Sequence, residues 1–129
     1  MVIRRSCLLL ALVALLLAAR ADASVVFVSQ DENGREFTLD RGDALEISLP
    51  VTSGTGYTWQ AEPVAGGIVT QVGEPEIERG SSTPGASAHQ VFHFTRGASG
   101  SGTLELRYLR PWEKDKAPAK VFSIKLTVR

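Results

Sequence analysis

The sequence predicts an all-β protein, an immunoglobulin-like antiparallel β-sandwich of about eight strands. Apolar and polar residues alternate along several short segments, and no long segment after residue 23 has helical periodicity. Turn residues recur roughly every dozen positions between these segments. The chain has 129 residues, which is room for one domain.

The N-terminal segment is typical of a secretory signal peptide. A basic start, "MVIRR", precedes the apolar run "CLLLALVALLLAA" and the small-residue site "ADA", which ends at Ala23. The apolar run is short for a membrane span, which needs about 20 residues, although an uncleaved anchor shares this pattern. We therefore expect residues 1–23 to be removed. The mature domain, residues 24–129, would be periplasmic or extracellular, with no membrane association once the signal is lost.

Composition argues against a nucleic-acid-binding protein and against a domain stabilised by disulfides. Removing the signal takes three arginines and one aspartate from totals of 14 basic and 14 acidic residues, and leaves 11 and 13. This slightly acidic domain has no basic stripe to meet phosphates, which argues against a nucleic-acid partner. Its sole cysteine, Cys7, leaves with the signal, so the domain folds without a disulfide and its core must supply the stability.

The first two predicted strands lie on either side of a turn signal. "VVFVSQ" at 25–30 and "REFTL" at 35–39 flank Asn33-Gly34, a dipeptide favoured in two-residue hairpin turns. This arrangement predicts a β-hairpin at the start of the domain.

The remaining strands follow from alternation. "ALEISL" at 44–49 places its apolar residues on one face, and "GYTWQAE" at 56–62 points Tyr57, Trp59 and Ala61 to one side. We interpret Trp59 as a core residue for this reason. Four further strands are predicted near residues 68–78, 89–95, 101–109 and 119–128.

Successive antiparallel strands alternate in direction, so every second connection falls at the same end of the sandwich. Three connections share one end by this rule: "PVTSGTG" at 50–56, "RGSSTPGASA" at 79–88 and "RPWEKDKAPA" at 110–119. We call them the first, second and third loops. They are the connections richest in glycine and proline, and clustered loops on a rigid sandwich are where binding surfaces are built.

The sequence offers little for catalysis or metal binding. No cysteine nucleophile remains after the signal is removed, and no G-x-S-x-G motif occurs. His89 and His93 share a strand face but lie about 13 Å apart at the rise of a strand, too far to share one metal ion. We therefore predict no catalytic residue, no metal site and no cofactor.

Trp112 has two possible roles. It follows Pro111, which stiffens the backbone, and precedes the charged run "EKDK". It could be a structural lid over the end of the sandwich, or a rigid aromatic anchor for a partner, the residue type enriched at interface hot spots.

The three loops together resemble those of the chagasin family of cysteine-peptidase inhibitors. That family carries N-P-T-T-G-Y-x-W in its first loop, a G-x-x-G-G-like second loop and R-P-W in its third. The R-P-W motif is complete here, and the other motifs match in part. Matching residues are Thr55, Gly56, Tyr57 and Trp59 in the first loop, Pro84 and Gly85 in the second, and Arg110, Pro111 and Trp112 in the third. Thr52, Ser53 and Gly54 replace N-P-T, and Ser87 and Ala88 replace the paired glycines.

The resemblance implies a reversible inhibitor of papain-like cysteine peptidases rather than an enzyme, expected to act as a monomer. Its three loops would form a wedge that enters the active-site cleft, with the first loop over the catalytic cysteine. Gly54 and Gly56 would keep side chains away from the thiolate, and Tyr57 and Trp59 would root the loop in the core. The predicted contact residues are Thr52, Ser53, Gly54, Thr55, Gly56, Tyr57, Pro84, Gly85, Arg110, Pro111 and Trp112.

Two other functions remain open at this point. A secreted carbohydrate- or surface-binding module could stack Trp112 and Tyr108 on sugar rings. A small hydrolase is the second alternative, although the chain offers no nucleophile–base pair.

Overall fold

The computed structural model describes residues 23–80 and 87–129. Within them the chain forms nine strands and two short 3-10 turns, at Gln30–Glu32 and Ala65–Gly67. No helix in this part of the chain is long and apolar enough to cross a membrane. In chain order the strands are β1 (Val25–Ser29), β2 (Glu36–Leu39), β3 (Ala44–Thr52), β4 (Thr58–Ala61), β5 (Val69–Gln71), β6 (Glu76–Arg79), β7 (Ser87–Arg96), β8 (Gly100–Leu109) and β9 (Lys120–Val128).

The strands form two sheets that enclose one core. The first sheet has the order β1-β3-β7-β5, with β6 also paired to β7, and the second has the order β2-β9-β8-β4. The alternating apolar residues fill the space between the sheets, as the sequence predicts, and the β-sandwich is confirmed. The largest fully buried side chains include Phe92, Phe122, Leu45, Ile47, Leu104, Leu106, Ile124 and Leu126.

The predicted hairpin at Asn33-Gly34 is wrong. β1 pairs with β3 and β2 pairs with β9, so the two strands lie in different sheets. Both pairings are parallel, and the sandwich is therefore mixed rather than purely antiparallel. The turn residues bond to β9 instead: the Asn33 Oδ1 atom accepts from the Ser123 amide at 2.9 Å, and the Gly34 amide donates to the Ser123 carbonyl at 2.7 Å.

The single strand predicted near residues 68–78 is two strands, β5 and β6. Both pair with β7, β5 near its end and β6 near its start. Gly73 lies between them with a φ of +68°, a left-handed conformation that interrupts an extended strand. This break accounts for nine strands where the sequence predicts about eight.

Strand register brings the first and third loops and the described flanks of the second loop to one end. β3 extends to Thr52 and β4 begins at Thr58, so the first loop in the structure comprises residues 53–57. β6 ends at Arg79, and Ser87 begins β7 opposite Thr52. The third loop keeps its predicted bounds, 110–119, between the paired ends of β8 and β9.

Candidate functional site

The first loop is a compact turn with glycine at both points where the chain reverses. Gly54 has a φ of +83° and Gly56 a φ of +81°, values that other residues adopt only with strain. Between them, the Thr55 hydroxyl donates a 2.9 Å hydrogen bond to the carbonyl of Thr52. The Thr55 hydroxyl therefore helps to close the loop on itself.

Aromatic residues hold this loop from beneath. The Tyr57 ring stacks on Tyr108 with 5.2 Å between centroids, and the Tyr108 hydroxyl accepts a 3.2 Å hydrogen bond from the Thr52 amide. Trp59 is 3% exposed, and its indole donates to the Pro50 carbonyl at 3.0 Å. Trp59 is thus confirmed as a core residue, and both ends of the loop are tied to the sandwich.

Gln90 is a buried polar residue that the sequence interpretation missed. It is 3% exposed on β7, yet its side chain bonds β4 in the opposite sheet. Its Oε1 atom accepts from the Trp59 amide at 2.9 Å, and its Nε2 atom donates to the Trp59 carbonyl at 3.0 Å. β4 pairs with β8 along one edge, and the Gln90 side-chain amide bonds the backbone of Trp59 as a strand on its other edge would. The available signal was a glutamine in phase with inward-facing Phe92 and Phe94.

Arg110, at the start of the third loop, connects it to the first. Its Nε atom donates to the Thr55 carbonyl at 3.0 Å, and its guanidinium lies 4.4 Å from the centroid of the Tyr57 ring. Its Nη1 atom donates to a carboxylate oxygen of Glu113 at 3.0 Å. The arginine of the R-P-W motif therefore organises the site from within.

Glu113 fastens the third loop. Its second carboxylate oxygen lies 3.0 Å from the Lys116 ammonium, so both oxygens face cations. Hydrogen bonds from Lys116 and then from Arg110 lower the pKa of the Glu113 carboxyl. The Glu113 amide also donates to the Arg110 carbonyl at 3.0 Å, which closes the turn that carries Trp112.

Trp112 is 66% exposed and lies on the first loop. A Cβ atom added at Gly56 would overlap the Cη2 atom of Trp112 and crowd the rest of the ring. By contrast, a Cβ atom at Gly54 would meet nothing within 4 Å. Gly56 thus makes room for Trp112, and Gly54 leaves the tip of the loop open. An indole this exposed favours the anchor over the lid.

Pro84 and Gly85 of the second loop lie outside the described residues. Its flanks are described: Arg79 pairs with Ala88, and Ser87 pairs with Thr52 at the end of β3. Ser87, which follows the second loop, therefore lies beside the end of β3 where the first loop begins, whereas Arg79 lies across β7 from β3. Ser53 and Pro111 are at this same end, Ser53 partly exposed and Pro111 exposed.

The two histidines lie on the outer face of β7, His89 two residues and His93 six residues after Ser87. The Nε2 atom of His93 is 4.0 Å from a carboxylate oxygen of Glu76. Across residues 23–80 and 87–129, histidine, cysteine, aspartate and glutamate form no cluster of three or more suited to a metal ion.

Comparison with known proteins points to one family. Residues 38–126 match the model of the Chagasin family peptidase inhibitor I42. The chain is 30% identical to chagasin from Trypanosoma cruzi over 106 residues, which cover 77% of this chain and 94% of that protein.

Solved structures share the fold. The crystal structure of the cysteine protease inhibitor EhICP2 from Entamoeba histolytica aligns with a TM-score of 0.74 and 21% identity, covering 85% of this chain and 100% of that one. PbICP-C, solved in complex with falcipain-2, aligns with a TM-score of 0.53 and 17% identity, covering 85% of this chain and 92% of that one.

Proposed function

The chain belongs to the chagasin family of peptidase inhibitors, and from this premise we propose that it blocks the active-site cleft of a papain-like cysteine peptidase with the loop end of its sandwich. The family consists of inhibitors, so the chain is an inhibitor rather than an enzyme. The proposal concerns the mode of inhibition: reversible binding by the first and third loops, joined by the second.

The observation that carries this proposal is the joining of two loops into one surface. Arg110 bonds the Thr55 carbonyl at 3.0 Å, and Trp112 lies on Gly56, so the two loops contact each other at two points. A surface that is ordered before binding loses less conformational entropy when it meets its partner. Trp112 supplies the exposed aromatic anchor for such an interface, which typically buries about 1,600 Å².

Gly54 supports close approach to the catalytic centre. It is exposed at the tip of the first loop, and the space around its missing side chain is empty. The backbone there can approach a partner more closely than any other residue type would allow. Gly56 contributes indirectly, because its free space is occupied by Trp112.

The shape of the first loop also explains how it would resist cleavage. A peptidase needs an extended scissile bond with its carbonyl carbon about 3 Å from the nucleophile. Two left-handed glycines and the Thr55–Thr52 hydrogen bond keep this segment in a closed turn. The loop would fill the site without presenting a cleavable bond.

We extend the contact surface to the second loop, with Pro84 and Gly85 as its contact residues. Its flanks support this assignment, because Ser87 lies beside Thr52. With Ser53 and Pro111 at the same end, the three loops would form a continuous wedge. We expect the inhibitor to act as a monomer, since a wedge of this kind needs no second copy.

We also propose that the protein is exported and begins at Ser24. Ser24 already lies against Asp43, with its amide nitrogen 3.3 Å and its hydroxyl 2.9 Å from one carboxylate oxygen. Cleavage after Ala23 would turn that amide into an ammonium group beside a carboxylate, a favourable exchange. The mature domain would act in the periplasm or outside the cell, free of the membrane. The intact mass of exported material tests this start, and a retained residue 1–23 segment would contradict it.

Titration against papain and cathepsin-like enzymes tests the proposed function. We expect one-to-one, reversible inhibition that competes with an active-site-directed ligand, with a Kd in the nanomolar range, or about −12 kcal/mol. A serine peptidase is the matched control and should be unaffected. Absence of inhibition across the cysteine-peptidase panel, or binding that does not compete with the active-site ligand, would contradict the proposal.

A further inference from the structure

Glu113 holds a carboxylate inside the third loop rather than in solvent. Its side chain is 19% exposed, whereas the side chain of its partner Lys116 is 77% exposed. One oxygen faces Arg110 and the other faces Lys116, each at 3.0 Å. Both acceptor atoms are therefore committed to groups of this chain.

The position of Glu113 bears directly on the guanidinium of Arg110. Guanidinium is planar and rigid, so a bond at Nη1 also sets the direction of the Nε–H bond. That Nε atom bonds the Thr55 carbonyl at 3.0 Å, at the tip of the first loop. The same plane lies over the Tyr57 ring at 4.4 Å. A single carboxylate in the third loop thereby orients contacts in the first.

Trp112 lies between these linked points. It is two residues from Arg110 and adjacent to Glu113, and the backbone bond from the Glu113 amide to the Arg110 carbonyl closes the turn around it. If Arg110 rotated away from Thr55, the first loop and the indole would lose their common support.

We infer that Glu113 is a positioning residue for inhibition, which sets Arg110 so that the first loop and Trp112 are held in one arrangement before the peptidase arrives. This inference rests on the proposed function. Glu113 acts through Arg110 and not by touching the peptidase.

The test compares Glu113→Gln with the unaltered protein. Both are expressed from the full sequence and used as they are recovered from the cells. In the free protein, we expect the Arg110 Nε–H proton to exchange with water at least tenfold faster in the variant, measured by NMR. The Trp112 indole signal should shift. The Trp59 indole signal should stay in place, because its bond to the Pro50 carbonyl is remote from the change.

Inhibition of papain is measured on the same samples. We expect Glu113→Gln to raise the dissociation rate about three- to tenfold. Glu105→Gln is the matched control: it removes a carboxylate that lies 3.4 Å from Arg107 on β8, and should change neither the exchange of Arg110 nor inhibition. Lys116→Ala keeps the Arg110–Glu113 bond and should give a smaller effect than Glu113→Gln.

Two results would overturn the inference. Unchanged Arg110 exchange in Glu113→Gln would show that Glu113 does not set Arg110, and weaker inhibition in that case would mean that Glu113 contacts the peptidase itself. Faster exchange with unchanged inhibition would mean that the orientation of Arg110 set by Glu113 does not contribute to inhibition. Failure of the unaltered protein to inhibit would instead count against the proposed function, and the exchange data would still decide whether Glu113 orients Arg110.

Discussion

The first and third loops lie side by side at one end of the sandwich, but different forces hold them. The first loop, residues 53–57, contains no charged residue and is tied down by groups beneath it, the Tyr108 ring and hydroxyl. The third loop, residues 110–119, is twice as long and carries five charged residues. It is held largely by its own ion pairs, centred on Glu113.

This difference indicates how each loop should respond to change. Packing and hydrogen bonds at a buried base are insensitive to salt, whereas an ion pair with one exposed member, such as Lys116 with Glu113, is partly screened by it. Substitutions at Tyr108 should therefore loosen the first loop, whereas salt or acid should loosen the third loop by weakening its ion pairs. Gly56 and Arg110 are the points where the two loops meet, so changes there should damage both.

The largest effect is expected from Gly56→Val, which disrupts the contact between Gly56 of the first loop and Trp112 of the third. Valine is strained at a φ of +81° and its side chain would displace the Trp112 ring. We expect inhibition to fall at least a hundredfold and the fluorescence of Trp112 to change in the free protein.

Gly54→Val is the matched control, because Gly54 has a φ of +83° but no neighbour within 4 Å. It should weaken inhibition only because the valine side chain meets the bound peptidase, and it should leave the Trp112 fluorescence of the free protein unchanged. Unchanged Trp112 fluorescence in Gly56→Val would contradict the contact between Gly56 and Trp112.

Removing the anchor should come next in effect. Trp112→Ala should weaken inhibition at least tenfold, about 1.4 kcal/mol, with the circular-dichroism spectrum and Tm nearly unchanged. Phe27→Ala is a matched control, since Phe27 is 67% exposed on β1, away from the loops, and should not affect inhibition. A large fall in Tm for Trp112→Ala would favour the structural-lid interpretation instead.

Tyr108→Phe is a milder change that tests the support of the first loop alone. It removes the hydroxyl that accepts from the Thr52 amide but keeps the ring beneath Tyr57. We expect a loss of about 1 kcal/mol in the free energy of unfolding and weakening of inhibition by about fivefold. The fold-change should be the same at low and high salt. A salt-dependent loss would mean that the first loop relies on charge after all.

The smallest effect concerns acid. The pKa of Glu113 is lowered below its ordinary value of 4.5, so the folded state binds its proton less readily than the unfolded state does. The contribution of Glu113 is therefore complete above pH 4.5 and is lost as the pH falls through the lowered value. We expect affinity to be constant between pH 7 and pH 5 as far as Glu113 is concerned, and to fall about threefold below pH 4.5.

Binding to a peptidase whose thiol is blocked measures this without interference from catalysis. Glu113→Gln supplies the control, since its weaker affinity should lack the acid-dependent step. An equal loss of affinity in both proteins below pH 4.5 would assign the effect to another group.

Local patterns in the sequence predict much of this arrangement. Alternation identifies β3, β8 and β9, because one buried face leaves a period of two in the side chains. The R-P-W and T-G-Y-x-W motifs identify the loop end. Gln90 and the Arg110–Thr55 bond were missed, because they depend on partners 31 and 55 positions away.

Turn chemistry also misled at Asn33-Gly34. The dipeptide does reverse the chain, but nothing local records that the next strand enters the other sheet. The break at Gly73 was missed for a similar reason. One strand or two can pair with the long β7, and only the three-dimensional path decides between them.

The pairing of β2 with β9 joins segments that are far apart along the chain. Glu36 lies beside Lys125, 89 positions later, and Leu39 lies beside Val128, the final residue of the last strand. Closing so long a loop costs more entropy than closing a hairpin, and such contacts form slowly. Ribosomes add about 5–20 residues per second from the N-terminus, so β2 has no partner until the last strand has emerged. The second sheet therefore cannot be completed until the last strand has been made, and the full sandwich forms only after synthesis of the chain.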